Sequence, residues 1–150
     1  MADQNTDRYD LIYKENAKIV AIFWEWRHKE LTIFFAGMAG LFALSSWLYQ
    51  NQRPELHGLF GAPFIIGVAF CIVSLLLDIR NARILKDCYR IGQEIEKKWC
   101  DRGILSEEAV IFVAVGRKQG ITYTRVLRIL YITSALSLAF LAYWLPEKLK

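Results

Sequence analysis

The sequence predicts an all-α protein that crosses a membrane three times, with an N-terminal amphipathic helix and a basic cytoplasmic helical module between the second and third spans. Three observations predict it. The chain holds three uncharged apolar runs of 17 to 19 residues. A single long connection, between the second and third runs, carries a charge equal to the whole basic excess. The stretch Cys71–Cys100, "CIVSLLLDIRNARILKDCYRIGQEIEKKWC", passes from apolar to basic with no Gly or Pro at the join. Overall the 150 residues are 55% hydrophobic. A soluble domain of this size is about 45–50% apolar on a similar count. The excess sits in the three runs.

The elements follow in order. Residues 1–30 form the amphipathic helix, with Ile12, Ile19, Phe23 and Trp26 recurring at helical spacing. Trp24 and Trp26 suit interfacial anchoring or the stacking of a ligand. His28 lies in "WRHKE" at the interface. Leu31–Tyr49 is the first span, and Leu59–Leu77 is the second. They make a hairpin, residues 31–77, around the short loop 50–58. A helix needs roughly 20 mostly apolar residues to cross about 30 Å of hydrocarbon. An uncharged run of that length leaves no polar face for water, which a soluble amphipathic helix has.

Residues 78–128 form the basic module. Ile84, Cys88, Ile91, Ile95 and Trp99 share one face of its first helix, with Arg83, Lys86, Arg90 and Lys97 largely on another. Gly103 is the expected C-cap. Ser106 is the expected N-cap of a further short helix, "AVIFVAV", with Glu107 and Glu108 in its first turn. "GRKQG" turns into the third span, Ile129–Leu145, and 146–150 is an outer tail. The first basic helix is a stalk continuous with the second span. Gly92 is its weak point, costing about 1 kcal/mol relative to Ala. Such a helix serves either as a coupling rod or as a plain packing element.

Orientation follows from Lys and Arg in the short connections. Residues 78–128 hold eleven basic and seven acidic side chains, and the loop 50–58 holds only Arg53 as a basic residue. The module is therefore expected in the cytoplasm, with the N-terminus inside and the C-terminus outside, in a bacterial inner membrane. Trp47, Tyr49, Tyr143 and Trp144 fall at the outer interface. Arg125 and Arg128 reach inner headgroups. The polar, acidic start "MADQNTDRYD" is not the basic n-region of a signal peptide.

Little here points to catalysis. There is no P-loop, GxSxG or HExxH. Arg53 and His57 resemble a ribonuclease Arg…His pair but fall in the outer loop. Cys71, Cys88 and Cys100 are odd in number and scattered, and the two histidines lie far apart. No enzyme, disulfide framework, metal or cofactor is expected. No charged residue stands in mid-span, which disfavours a proton-coupled pump.

The spans carry small residues at helical spacing: Thr32, Ala36, Gly40, Ala43 and Ser46 in the first, Gly67, Cys71 and Ser74 in the second, Thr133 and Ser137 in the third. These let helices approach closely in lipid, within one chain or between copies. Three spans scarcely enclose a pore, so a pore needs a homo-oligomer, expected between tetramer and octamer. The basic stretch is an orientation signal and a contact for anionic lipid, or a polyanion site. In the second case Arg80, Arg83, Lys86, Arg90 and Lys97 hold the phosphates of a nucleotide or single-stranded oligonucleotide, and Tyr89 or Trp99 stacks a base. Asp87, Glu94 and Glu96 equally suit salt bridges along this helix.

The order "FWEWRHKE", span, short loop, span, "LDIRNARILKDCYRIGQEIE" resembles small bacterial inner-membrane effectors of phage-defence operons. The SLATT-type proteins, the Hailong-type channel effector and the pore-forming accessory of some RNA-targeting CRISPR systems are of this kind. The likeness covers about the first hundred residues. It implies a homo-oligomeric pore or ion channel, opened or closed by a cytoplasmic signal, that depolarises an infected cell. The cytoplasmic Arg…His pair of the CRISPR accessory type has no match here. In the Hailong type a DNA oligomer guards the channel, and Arg80, Arg83, Arg90 and Lys97 are the residues that would meet one. The alternative is a non-conducting scaffold that recruits a soluble defence-operon partner through the same basic helices.

Overall fold

The computed structural model describes residues 2–51, 59–104, 111–112 and 122–148. Among them there is no strand. Three long helices carry the chain: α1 (Ala2–Gln50), α2 (Ala62–Asp101) and α3 (Thr122–Lys148). Each is long and apolar enough to cross a membrane.

The helix ends follow local chemistry. Gly61 precedes α2, and the Ile65 N–H donates to its carbonyl at 3.1 Å. Pro63 stands in the first turn, where its missing N–H costs no helical bond. At the other end Gly103 has φ +68°. The Ile104 N–H reaches Trp99 O and the Gly103 N–H reaches Cys100 O, both at 2.9 Å. This is the six-to-one, five-to-two pair of a Schellman cap, so Gly103 ends α2 as its sequence position suggests. Ser106, Glu107, Glu108, the "GRKQG" turn, Arg53 and His57 lie outside the described residues, as does all of "AVIFVAV" except Ile111 and Phe112. The third helix outruns its predicted span at both ends. It starts at Thr122, and the predicted outer tail is helical through Lys148.

The chain divides into two compact units. The first holds Met1–Arg27 and Arg80–Thr122. In it the α1 and α2 segments run antiparallel: Tyr9 meets Lys98, Tyr13 meets Glu96 and Asn16 meets Cys88. Leu85, Tyr89 and Phe112 are its buried cluster, with Tyr13, Val20, Phe23 and Trp24 packed on them. Burying Leu85 or Phe112 from water is worth about 1.5–3 kcal/mol each.

The buried face of α1 only partly overlaps the face that the apolar residues mark, with Phe23 alone of Ile12, Ile19, Phe23 and Trp26 packed on the cluster. Ile12, Ile19 and Trp26 are exposed. Tyr13, Asn16, Val20, Trp24 and Arg27 turn inward instead. On α2 the correction is smaller. Cys88, Ile95 and Trp99 are buried as predicted, Ile84 is half-buried, Ile91 is exposed, and Leu85, Tyr89, Gly92 and Glu96 complete the inner face. Gly92 is a socket rather than a weak point. A Cβ there would stand 2.4 Å from the Phe112 ring.

The second unit holds His28–Ile79 and Tyr123–Lys150. Three helical segments pack around Phe34, Phe64, Cys71, Leu127, Tyr131 and Leu138. The Phe34 ring stacks on Phe70 at 5.8 Å and meets Tyr131 edge-on at 4.8 Å. Gly37 lies against Phe70, and Gly67 lies against Leu138 and Leu41. These glycines bring the helices close, which supplies packing where lipid gives no hydrophobic drive. Outside this core Ile33, Ile65, Leu76, Ile129, Leu136 and Phe140 are all more than half exposed. Such a surface suits hydrocarbon, and the three helices support a membrane location.

Candidate functional site: the basic face of α2

Three polar clusters stand out, two in the first unit and one in the second. In the first unit, Glu96 is fully buried. Its Oε1 accepts the Tyr13 hydroxyl and the Phe112 N–H, each at 2.8 Å. Gln93 Nε2 donates to the Phe112 carbonyl at 3.2 Å. Phe112 is thus held by its N–H, its carbonyl and its ring. Burial, and then the hydrogen bond to Glu96, raises the Tyr13 hydroxyl well above its ordinary pKa. It stays protonated and keeps donating. Asn16 Nδ2 donates to Cys88 O at 2.7 Å, and Trp24 Nε1 donates to the Tyr89 hydroxyl at 3.0 Å. Burial first, then Asp87, raises the Cys88 thiol. A buried thiol of this kind is a packing group rather than a nucleophile.

The basic face lies on the other side of α2. Arg80, Arg83, Lys86, Arg90 and Lys97 are all exposed. Arg83, Arg90 and Lys97 recur every seven residues, so one line of the helix carries them. Arg90 pairs with Asp87 at 3.6 Å. Both partners are well exposed, so this pair adds little stability and leaves the guanidinium available to an anion. At the end of α2, Lys98 and Arg102 lie 5.0 and 5.8 Å from the centre of the Tyr9 ring.

Tyr89 and Trp99 do not join this face. Both are 7% exposed and point into the interior. Tyr89 packs edge-on to Phe112 at 5.8 Å, and Trp99 lies 4.9 Å from Tyr13. Their rings are core, and the expected stacking of a base on either is corrected accordingly. Trp24 is also engaged, with Arg27 5.8 Å from its ring. Helical periodicity placed Trp99 inward, but the interior partners of Glu96 and Asn16 had no local signal. They depend on Tyr13, Phe112 and Cys88 coming from distant segments.

In the second unit Asp78 is 1% exposed and sits 3.6 Å from Arg128, which is partly exposed. Arg128 therefore faces a carboxylate as well as the border of the apolar stretch. Of the small residues, Gly67, Cys71 and Ser74 are buried, Gly67 against Leu138 and Leu41 and Cys71 in the core cluster. Thr32, Ala36, Gly40, Ala43, Ser46, Thr133 and Ser137 are exposed. The Thr32 hydroxyl bonds back to His28 O at 3.0 Å, and Thr133 bonds back to Ile129 O at 2.8 Å. An open groove of about 490 Å³ between α2 and α3 is apolar, lined by Ile65, Val68, Ile72 and Tyr143 among others. It offers no charge for a polar ligand. Among the described residues no His, Cys, Asp and Glu group could hold a metal. No family model, no curated protein and no solved structure matches the chain.

Proposed function

We propose that this chain is the subunit of a homo-oligomeric inner-membrane pore or ion channel, gated by a cytoplasmic polyanion and acting in anti-phage defence by depolarising the cell. Its N-terminus and the 78–128 module face the cytoplasm, and its C-terminus faces the periplasm. The ligand is a nucleotide or a single-stranded oligonucleotide. Arg80, Arg83, Lys86, Arg90 and Lys97 take its phosphates, without help from Tyr89 or Trp99. The observation that carries this reading is α2 itself. One unbroken helix, Ala62–Asp101, holds both the apolar stretch and the exposed cations. A ligand that binds the cations more tightly in one state biases the helix toward that state.

A non-conducting scaffold is the second reading. Exposed Ile91, Ile104 and Ile111 in the basic module favour it, since they offer apolar contacts to a soluble partner. Deregulated expression separates the two. With a potential-sensitive dye in growing cells, the pore reading expects depolarisation soon after induction. Cells that hold full membrane potential while the protein accumulates in the membrane would overturn it in favour of the scaffold.

A further inference from the structure

Within the first unit, two cations at the end of α2 converge on one tyrosine and on no carboxylate. Lys98 Nζ lies 5.0 Å and Arg102 Cζ 5.8 Å from the centre of the Tyr9 ring. Both cations are exposed, the tyrosine is half-buried, and all three residues belong to this unit. Lys98 also donates to the Tyr9 hydroxyl oxygen at 3.4 Å. That oxygen is thus the acceptor, and the hydroxyl's own proton meets no acceptor among the described residues.

The carboxylates close by in sequence do not answer these charges. Asp10 is taken by Lys14 at 2.7 Å, and Glu96 is turned inward to Tyr13 and Phe112. Glu94 and Asp101 stand within one helical turn of Lys98. Yet neither Lys98 nor Arg102 forms an ion pair among the described residues. Like charges four residues apart on a helix repel. The carbonyl end of a helix carries only about half an elementary charge, too little to neutralise two cations. A cation over an exposed ring is a weak contact. The cluster therefore holds positive charge that the described chain leaves uncompensated.

The donor set fits a phosphate. Lysine supplies a point charge, arginine a planar fork and tyrosine a neutral hydroxyl, which meet the several oxygens of one phosphate from different sides. The place differs from the outer basic face of α2. At about 100° per residue, Lys98 and Arg102 lie about 100° and 140° round the helix from Lys97. We infer that Tyr9, Lys98 and Arg102 form a second anion site, one that takes a phosphate group of a small soluble molecule or of a lipid headgroup. The site stands on one chain and needs no pore.

Thermal unfolding of the full chain in a nonionic detergent tests this, because a ligand that binds only the folded state raises the midpoint. Inorganic phosphate is titrated at constant ionic strength in one arm. In the other, phosphatidylglycerol is titrated against phosphatidylcholine. Wild type is compared with Lys98→Gln/Arg102→Gln, with Tyr9→Phe and with Arg83→Glu/Arg90→Glu/Lys97→Glu. The expected result is a midpoint that rises saturably in wild type in at least one arm. Lys98→Gln/Arg102→Gln abolishes the rise while its helical circular dichroism is retained. Tyr9→Phe shifts half-saturation severalfold higher, and the triple variant still responds. A rise with inorganic phosphate assigns a soluble phosphate, and a rise with phosphatidylglycerol alone assigns a lipid. No saturable rise in either arm would overturn the site. So would a rise that Lys98→Gln/Arg102→Gln keeps in full, which is the general effect of phosphate on folded proteins. A rise lost only in the triple variant would also overturn it and put the anion on the outer face. None of these outcomes touches ion flux, on which the pore stands or falls separately.

Discussion

Phe112 reaches α2 at Gly92, where no side chain keeps its ring off the helix. Gly92→Ala would set a Cβ among atoms of that ring. Displacing a buried ring costs about 1–3 kcal/mol, more than the helix propensity that Ala gains. The expected outcome is a lower unfolding midpoint in detergent for Gly92→Ala. Tyr13→Phe removes one of the donors to buried Glu96, with an expected loss of about 1–3 kcal/mol. It also changes the response to alkali. The folded hydroxyl titrates above its ordinary value. Its stabilisation is therefore complete below pH 10 or so and is lost as pH rises beyond that. A stability profile from pH 8 to 11 should fall less steeply in Tyr13→Phe than in wild type. The Gly103 cap was legible because its signal is local. The roles of Gly92, Tyr13 and Glu96 were not, because each depends on a residue from another segment.

For the helices, the sequence showed which stretches are helical and apolar better than which face turns inward. In α1 the residues at 12, 19 and 26 are more apolar than those at 13, 20 and 27. Hydrophobicity alone therefore selects a stripe of which only Phe23 packs inward. The inner stripe includes Asn16 and Arg27, polar groups that interior partners accommodate. The same helices hold glycines of opposite character. Gly67→Val should lower the unfolding midpoint, because its Cβ meets Leu138 at 2.8 Å and the branch adds bulk. Gly40→Ala has open space within the chain, so it should leave the isolated subunit unchanged or more stable by up to about 1 kcal/mol. Thermal melts of both variants, read beside their oligomeric state, check the contrast.

At the scale of the molecule, charge distribution is what the sequence exposed most clearly. The basic connection and the uncharged runs are additive properties, legible without tertiary contacts. The exposed cations of α2 were found this way, and the burial of Tyr89 and Trp99 was what charge counting could not reveal. If Arg83, Arg90 and Lys97 each contact one phosphate, oligonucleotide affinity should fall with salt at a log–log slope of about −2 per chain. Fluorescence anisotropy over a salt series measures that slope, and a salt-independent affinity would argue for contacts other than phosphate. The most direct test of the central claim is ion flux through purified protein in liposomes. Wild type is compared with Arg83→Glu/Arg90→Glu/Lys97→Glu, with and without short DNA or RNA oligomers. The account predicts flux that an oligomer changes in wild type and leaves unchanged in the triple variant. No flux in any condition, from protein shown to be folded and oligomeric, would contradict it.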